Sequence, residues 1–206
     1  LDINTSVTIL DSLFDGNAVS VSAGGAISSS FTPSTILTIR NTTFTNNSAV
    51  IGGAIYKAEG TVAISNSTFF NNMATVEGGA LHLTNSGNYS VVNSTFYQNN
   101  ASNGGNVYTT YASLTVINSI MAGDSNGGNC SAYAVPIVDG GHNIDSGASC
   151  GFSSINDSLS NTNPRLGSLQ DNGGRTWTME LQPGSPAIDA GDNATCSDSP
   201  INNLDQ

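Results

Sequence analysis

An all-β, right-handed parallel β-helix (a solenoid) of about 26 residues per coil is the fold that the sequence predicts, on three observations. A six-residue segment recurs five times, an Asn or Asp follows it at fixed spacing, and a double glycine comes after each. No helical periodicity interrupts the pattern, which removes the α-solenoids, whose repeats need paired helices.

The recurring segments run from Ile9 to Phe14, Ile39 to Phe44, Ile64 to Phe69, Val91 to Phe96 and Val116 to Met121. Their last positions lie 30, 25, 27 and 25 residues apart. Three residues beyond each stands Asn17, Asn47, Asn72, Asn99 or Asp124, and then Gly24-Gly25, Gly52-Gly53, Gly78-Gly79, Gly104-Gly105 or Gly127-Gly128. Short runs such as Val7-Thr8-Ile9, Leu37-Thr38-Ile39, Val62-Ala63-Ile64 and Leu114-Thr115-Val116 alternate apolar with polar or small residues. That alternation marks strands with one face in a core. One repeat therefore makes one coil, and strands of successive coils pair in parallel about 4.8 Å apart.

Stacking gives each repeated residue a physical role. Phe14, Phe44, Phe69, Phe96 and Met121 are expected to form one apolar file inside the coils. Asp11, Asn41, Asn66, Asn93 and Asn118 are expected to form a corner ladder, and Asn17, Asn47, Asn72, Asn99 and Asp124 a second. A side-chain amide has both donors and an acceptor, so stacked Asn residues can bond above and below. Asn also tolerates the left-handed backbone that tight corners demand. The double glycines supply positive φ or close backbone approach at another corner. Insertions such as Ser28 to Ser34 and Thr84 to Asn88 belong on exposed loops.

Composition narrows the partners. Hydrophobic residues make up 37% of the chain, enough for a core, whereas charged residues make up 9%, far below the usual quarter. The net charge of −11, with Lys and Arg numbering 4, argues against nucleic acid and against docking on an anionic membrane. No stretch approaches twenty apolar residues, so direct membrane insertion is not expected.

The Phe-x-x-Asn plus Gly-Gly-Ala-Ile/Leu pairing resembles the repeats of the polymorphic outer membrane protein family, over roughly residues 1–125. That resemblance implies a β-helical surface module that adheres or displays, located outside the cell or on its surface. After Gly128 the repeat fades, so residues 1–128 read as repeat coils and 129–206 as an irregular continuation or cap of the same β-helix. Asn129-Cys130-Ser131, Asp139 to Asp145 and Ser149-Cys150-Gly151-Phe152 read as a cystine-closed stretch. A Cys130–Cys150 bridge would close a loop of about 20 residues, worth roughly 3 kcal/mol in the chain-entropy model. It would suit an oxidising compartment. With Asn163-Pro164-Arg165-Leu166-Gly167, Asp171-Asn172-Gly173-Gly174 and Pro183 to Gly191, this order resembles the C-terminal region of choice-of-anchor-type exported β-helix proteins, over about 126–206. In that family the chain runs on into a final strand and an anchor, which implies a fragment or a processed subunit here. Cys196 is left for a partner beyond the chain or on another subunit.

Parallel β-helices also house pectinases and polysaccharide lyases. A lyase needs a strong base beside acidic groups or calcium, and a hydrolase needs two carboxylates about 5–9.5 Å apart. Arg40, Lys57, Arg165 and Arg175 scatter over different coils, and no adjacent acidic pair occurs in the repeat. His82 and His142 read as surface or hydrogen-bonded residues, so catalysis and cofactors are not expected. Asp189, Asp192 and Asp198 offer oxygens to a calcium ion, although turn-forming Asp residues are the simpler account. Ten Asn-x-Ser/Thr sequons occur. Asn41, Asn66 and Asn93 belong to a ladder, which leaves Asn4, Asn46, Asn88, Asn100, Asn129, Asn156 and Asn193 as glycosylation candidates.

The function these features predict is a non-catalytic structural or adhesive module of a surface protein, or the subunit of a self-assembling fibre. Its partners would be its own copies, joined end to end or laterally, and host or matrix glycans. The alternatives are a carbohydrate-binding or carbohydrate-active β-helix and an ice-binding protein. The outward row Thr38, Ala63, Ser90 and Thr115 gives no clean threonine array for ice.

Overall fold

The computed structural model describes residues 1–29, 33–123, 127–199 and 201–202. The chain winds as a parallel β-solenoid whose coils supply three files of strands. The first file contains the leading halves of Val7–Asp15 and Ile36–Thr45, then Thr61–Ser65, Asn88–Val92, Ser113–Ile117 and Val138–Asp139. The second contains the trailing halves of the two long strands, then Thr68–Phe70, Thr95–Tyr97, Ile120–Ala122 and Ile144–Asp145. The third contains Ile27–Ser29, Ile55–Lys57, Leu81–Thr84, Val107–Thr110 and Cys130–Ala132.

Registration is residue on residue: Phe14 pairs with Phe44, Phe44 with Phe69, Phe69 with Phe96 and Phe96 with Met121. The four phenylalanine rings stack nearly parallel at centroid spacings of 4.8, 4.8 and 4.5 Å. Phe44, Phe69, Phe96 and Met121 are fully buried, and Phe14 at the first coil is half-buried.

Two kinds of Asn work at the corners. Asp11, Asn41, Asn66, Asn93 and Asn118 have φ of 47, 47, 46, 45 and 48°. Each turns the chain between the first and second files with one left-handed residue, which Asn and Asp accept at the lowest cost after Gly. The other ladder is bonded from coil to coil and buried from Asn47 on. Asn17 Nδ2 donates to Asn47 Oδ1 (2.8 Å), Asn47 to Asn72 (2.9 Å) and Asn72 to Asn99 (2.8 Å). The remaining amide hydrogen of Asn47, Asn72 and Asn99 goes to the carbonyl of Phe14, Phe44 and Phe69. The left-handed residue at this corner is not the ladder Asn but the one before it: Gly16, Asn46, Asn71, Gln98 or Gly123. Asp124, expected as the fifth rung, lies outside the described residues. The fifth rung seen is Asn106, which passes the chain of amides to Asn129 and then to Asp145.

The double glycines divide their work. Gly24, Gly52, Gly78 and Gly104 have φ between 59 and 70°. The second residue of a pair is needed for space: a Cβ on Gly53 or Gly79 would sit 2.1 Å from a backbone oxygen of the next coil.

The C-terminal third departs from expectation. Residues up to 162 do continue the stack, with Ile144–Asp145 on Ile120–Ala122 and Leu159 bridged to Ile144. From Asn163 on, the chain instead turns back along the outside of the second file. The antiparallel hairpin Leu166–Gln170 with Thr178–Leu181 lies there. Trp177 O accepts from Thr43 Oγ1 at 2.9 Å, and Arg175 Nη1 reaches Asp11 Oδ2 of the first coil at 2.9 Å. The single continuation or cap expected for 129–206 is therefore two parts. Pro164, Pro183 and Pro186 explain the change: each lacks the N–H that a further ladder rung requires.

The Cys130–Cys150 disulfide is present and ties the last third-file strand to the closing loop. Cys150→Ser is expected to lower stability by about 3 kcal/mol. Urea unfolding with and without reductant measures it: the wild-type midpoint falls on reduction, and that of the variant does not move.

Candidate functional site

Alternation along the second file decides what its outer face shows. Because Phe44, Phe69, Phe96 and Met121 point inward, Thr45, Phe70, Tyr97 and Ala122 point outward in register. The returning hairpin crosses this face and leaves a cleft on either side of it.

One cleft, of about 720 Å³, lies toward the later coils and is walled by Thr95, Ile120, His142, Glu180, Asp189 and Cys196. The short helix Asn193–Ser197 closes it. Asp192 caps that helix, accepting from Ala194 N at 3.2 Å and Thr195 N at 2.9 Å. Hydrogen bonds from the Thr195 side chain and from these backbone amides hold the Asp192 carboxyl below its ordinary range. Asn118 fastens the helix, its Oδ1 accepting from Asp192 N at 3.0 Å. The amides of Asn118 and Asn93 point at the free thiol of Cys196, at 3.6 and 3.9 Å.

The structure does not bring the three calcium candidates into one cluster. Asp192 is spent on the helix start, Asp198 follows the last helical residue and Asp189 occupies a left-handed turn. Among the described residues no three His, Cys, Asp or Glu side chains come close enough to hold a metal ion.

The second cleft, of about 790 Å³, lies toward the early coils. Phe70 and Tyr97 form its floor, their rings 6.3 Å apart and 19° from parallel. Trp177 stands at its edge, 47% exposed, with Asp15, Gln98 and Gln182 around it. Phe70 and Tyr97 stand one place after the repeated phenylalanines, just outside the recurring segments. Nothing local showed that Trp177, some eighty residues later, comes back to them.

Asp139, Lys57 and His82 are held inside the fold. Asp139 is partly buried, which works against its charge. Hydrogen bonds from Ser158 Oγ, Ser153 N, Asn143 Nδ2 and Gly141 N outweigh that cost and depress its pKa. Lys57, read from the sequence as one of four scattered cations, has no exposed surface and donates to Thr35 Oγ1 at 2.9 Å. Burial lowers its pKa, against the opposing pull of Glu59.

His82 is not a surface residue. It is 6% exposed, edge-on to the rings of Tyr56 and Tyr108, and its Nδ1 has no partner. Burial pushes its pKa down to about 4. Glu77, 3.9 Å from Nε2, is too distant to hydrogen-bond and does not restore it. Because the folded pKa lies below the ordinary value of about 6.5, stability is complete above pH 6.5 and falls as pH drops toward 4. The expected loss is about 3 kcal/mol over that window, and His82→Gln should flatten this part of the urea-midpoint profile.

The sequons separate by exposure. Asn4, Asn88 and Asn193 are exposed, and Asn100 is half-buried. Asn46 and Asn156 are exposed with their amides engaged, to Asp15 Oδ1 and Asp139 O. Asn129 is 3% exposed, accepts from Asn106 and donates to Asp145, so its place in the ladder rules it out as an acceptor of glycan on the folded chain.

The family model described as the Chlamydia polymorphic membrane protein repeat matches residues 41–57 and 66–84. Both matches begin at a left-handed corner Asn and end within the third-file strand of the same coil. They thus cover the Phe-x-x-Asn rung and the double glycine of the second and third coils. No curated protein and no solved structure matches the chain.

Proposed function

We propose that the chain is a non-catalytic adhesive and structural module of a surface protein, a rigid β-solenoid that holds its outer face away from the cell. The observation that supports this most is the match of two successive coils to the Chlamydia polymorphic membrane protein repeat. The repeat type fits an outer-membrane or surface location. The stacked rings and continuous amide ladder fit a stiff support. Asp192 caps a helix, Asp139 and Asp145 sit in hydrogen-bond networks and His82 is buried, which favours binding over catalysis.

Displaying the chain on a non-adherent bacterial carrier tests the reading. Retention on cultured epithelial cells or matrix-coated glass under flow should exceed that of the bare carrier, and equal retention would sink it. Incubation with pectin or alginate should release no unsaturated or reducing sugar.

Self-association belongs to the same proposal: copies of the chain joined end to end or laterally would multiply the displayed face. Sedimentation at rising concentration should show species larger than the monomer, and a monomer at every concentration would count against it.

A further inference from the structure

We propose that the early-coil cleft is a saccharide-binding site that takes a neutral glycan chain along the Phe70–Tyr97 floor. The inference rests on the adhesive reading and names the chemistry of its ligand. Phe70 and Tyr97 belong to consecutive coils, and their side chains lie side by side on the outer face at 6.3 Å with nearly parallel planes. The ring face of an aromatic side chain carries negative charge density. It therefore attracts the polarised C–H face of a pyranose, and two such faces in a row present a platform for successive sugar units. Trp177 adds a third aromatic side chain at the edge of the cleft. Its position is set by the bond from Thr43 Oγ1 to its carbonyl.

The polar rim suits hydroxyl groups. Gln98 and Gln182 have amides that both donate and accept, and Asp15 is an acceptor; all three are exposed at the cleft. Sites of this kind combine an apolar wall with a few convergent polar groups.

Charge decides between neutral and anionic glycans. The cleft is lined by one carboxylate and no Lys or Arg. Arg175, on the same hairpin, is engaged with Asp11, and Arg165, beside Leu166, is not among the lining residues. With a chain charge of −11, a uronate or sulfated polymer would be repelled.

Trp177 is the only tryptophan, so its fluorescence reports the site directly. Cellohexaose, maltohexaose and N-acetylchitohexaose would be titrated, with polygalacturonate as the anionic comparison. The expected result is a saturable change with at least one neutral hexasaccharide and none with polygalacturonate. Phe70→Ala and Tyr97→Ala should each weaken that binding about tenfold. Gln98→Gly, at a left-handed position that glycine prefers, should weaken it without disturbing the fold. Far-UV circular dichroism and urea midpoints verify folding of each variant.

No response to any of the three hexasaccharides overturns the proposal, as does equal binding of polygalacturonate or undiminished binding in all three variants. Cell or matrix retention that survives in folded Phe70→Ala/Tyr97→Ala also overturns it while leaving the adhesive reading intact. Hexasaccharide binding without retention would count against the adhesive reading alone.

Discussion

Asn72→Ala is expected to destabilise the solenoid by about 4 kcal/mol or more, although it removes only an amide. Asn72 Oδ1 accepts from the backbone and side-chain nitrogens of Asn47, at 3.0 and 2.9 Å. Its Nδ2 donates to Asn99 Oδ1 and Phe44 O, at 2.8 and 3.0 Å. Truncation strands two buried donors on Asn47 and takes a donor from each of two buried acceptors. An orphaned buried group costs about 1–3 kcal/mol. The comparison is Asn46→Gly, one residue earlier. Asn46 is exposed and has φ of 56°, where glycine is at ease, so the lost surface bonds should cost less than about 1 kcal/mol. Urea midpoints of the two variants measure the difference. Equal losses would show that the buried ladder does not hold the stack.

Phe69→Ala should cost about 3–5 kcal/mol, the range for deleting a buried ring. Phe69 has no exposed surface, and its ring lies between Phe44 at 4.8 Å and Phe96 at 4.5 Å, so the cavity opens on both sides. Neighbouring coils cannot close it, because their backbones are held at strand spacing by parallel pairing on three faces. Phe14→Ala makes the control, since Phe14 is half-buried and touches one ring. Its cost should be roughly half as large. Thermal unfolding followed by circular dichroism separates them, and a similar loss for both would contradict a core continuous from coil to coil.

The fold was legible because the same side chain must do the same task in each coil. A repeated Phe, a repeated corner Asn and a double glycine leave a period in the sequence that no compact domain would produce. One further file was in plain view and carried no reading. Ser12, Thr42, Ser67, Ser94 and Ser119 follow the left-handed residue of each coil. In the structure, Ser67 Oγ accepts from Thr42 N, Ser94 Oγ from Ser67 N and Ser119 Oγ from Ser94 N. A small hydroxyl there supplies the acceptor that the bent ladder lacks.

The three metal candidates do not converge, for the opposite reason. Asp189, Asp192 and Asp198 are neighbours in sequence, but a left-handed turn and a short helix lie between them, and the Asp192 carboxylate caps that helix. Proximity along a chain does not fix side-chain direction.

By itself the sequence determined what recurs: strand files, inward rings, the two Asn files and the coil length, each enforced by stacking of near-identical neighbours. Only the tertiary structure decided what happens once. The handover of the ladder from Asn99 to Asn106, the return of residues 163–199 along the second file and the placing of Trp177 in one cleft with Phe70 and Tyr97 have no periodic signature. They depend on long-range contacts between segments that are unlike each other, and such contacts come from the packing of the whole chain.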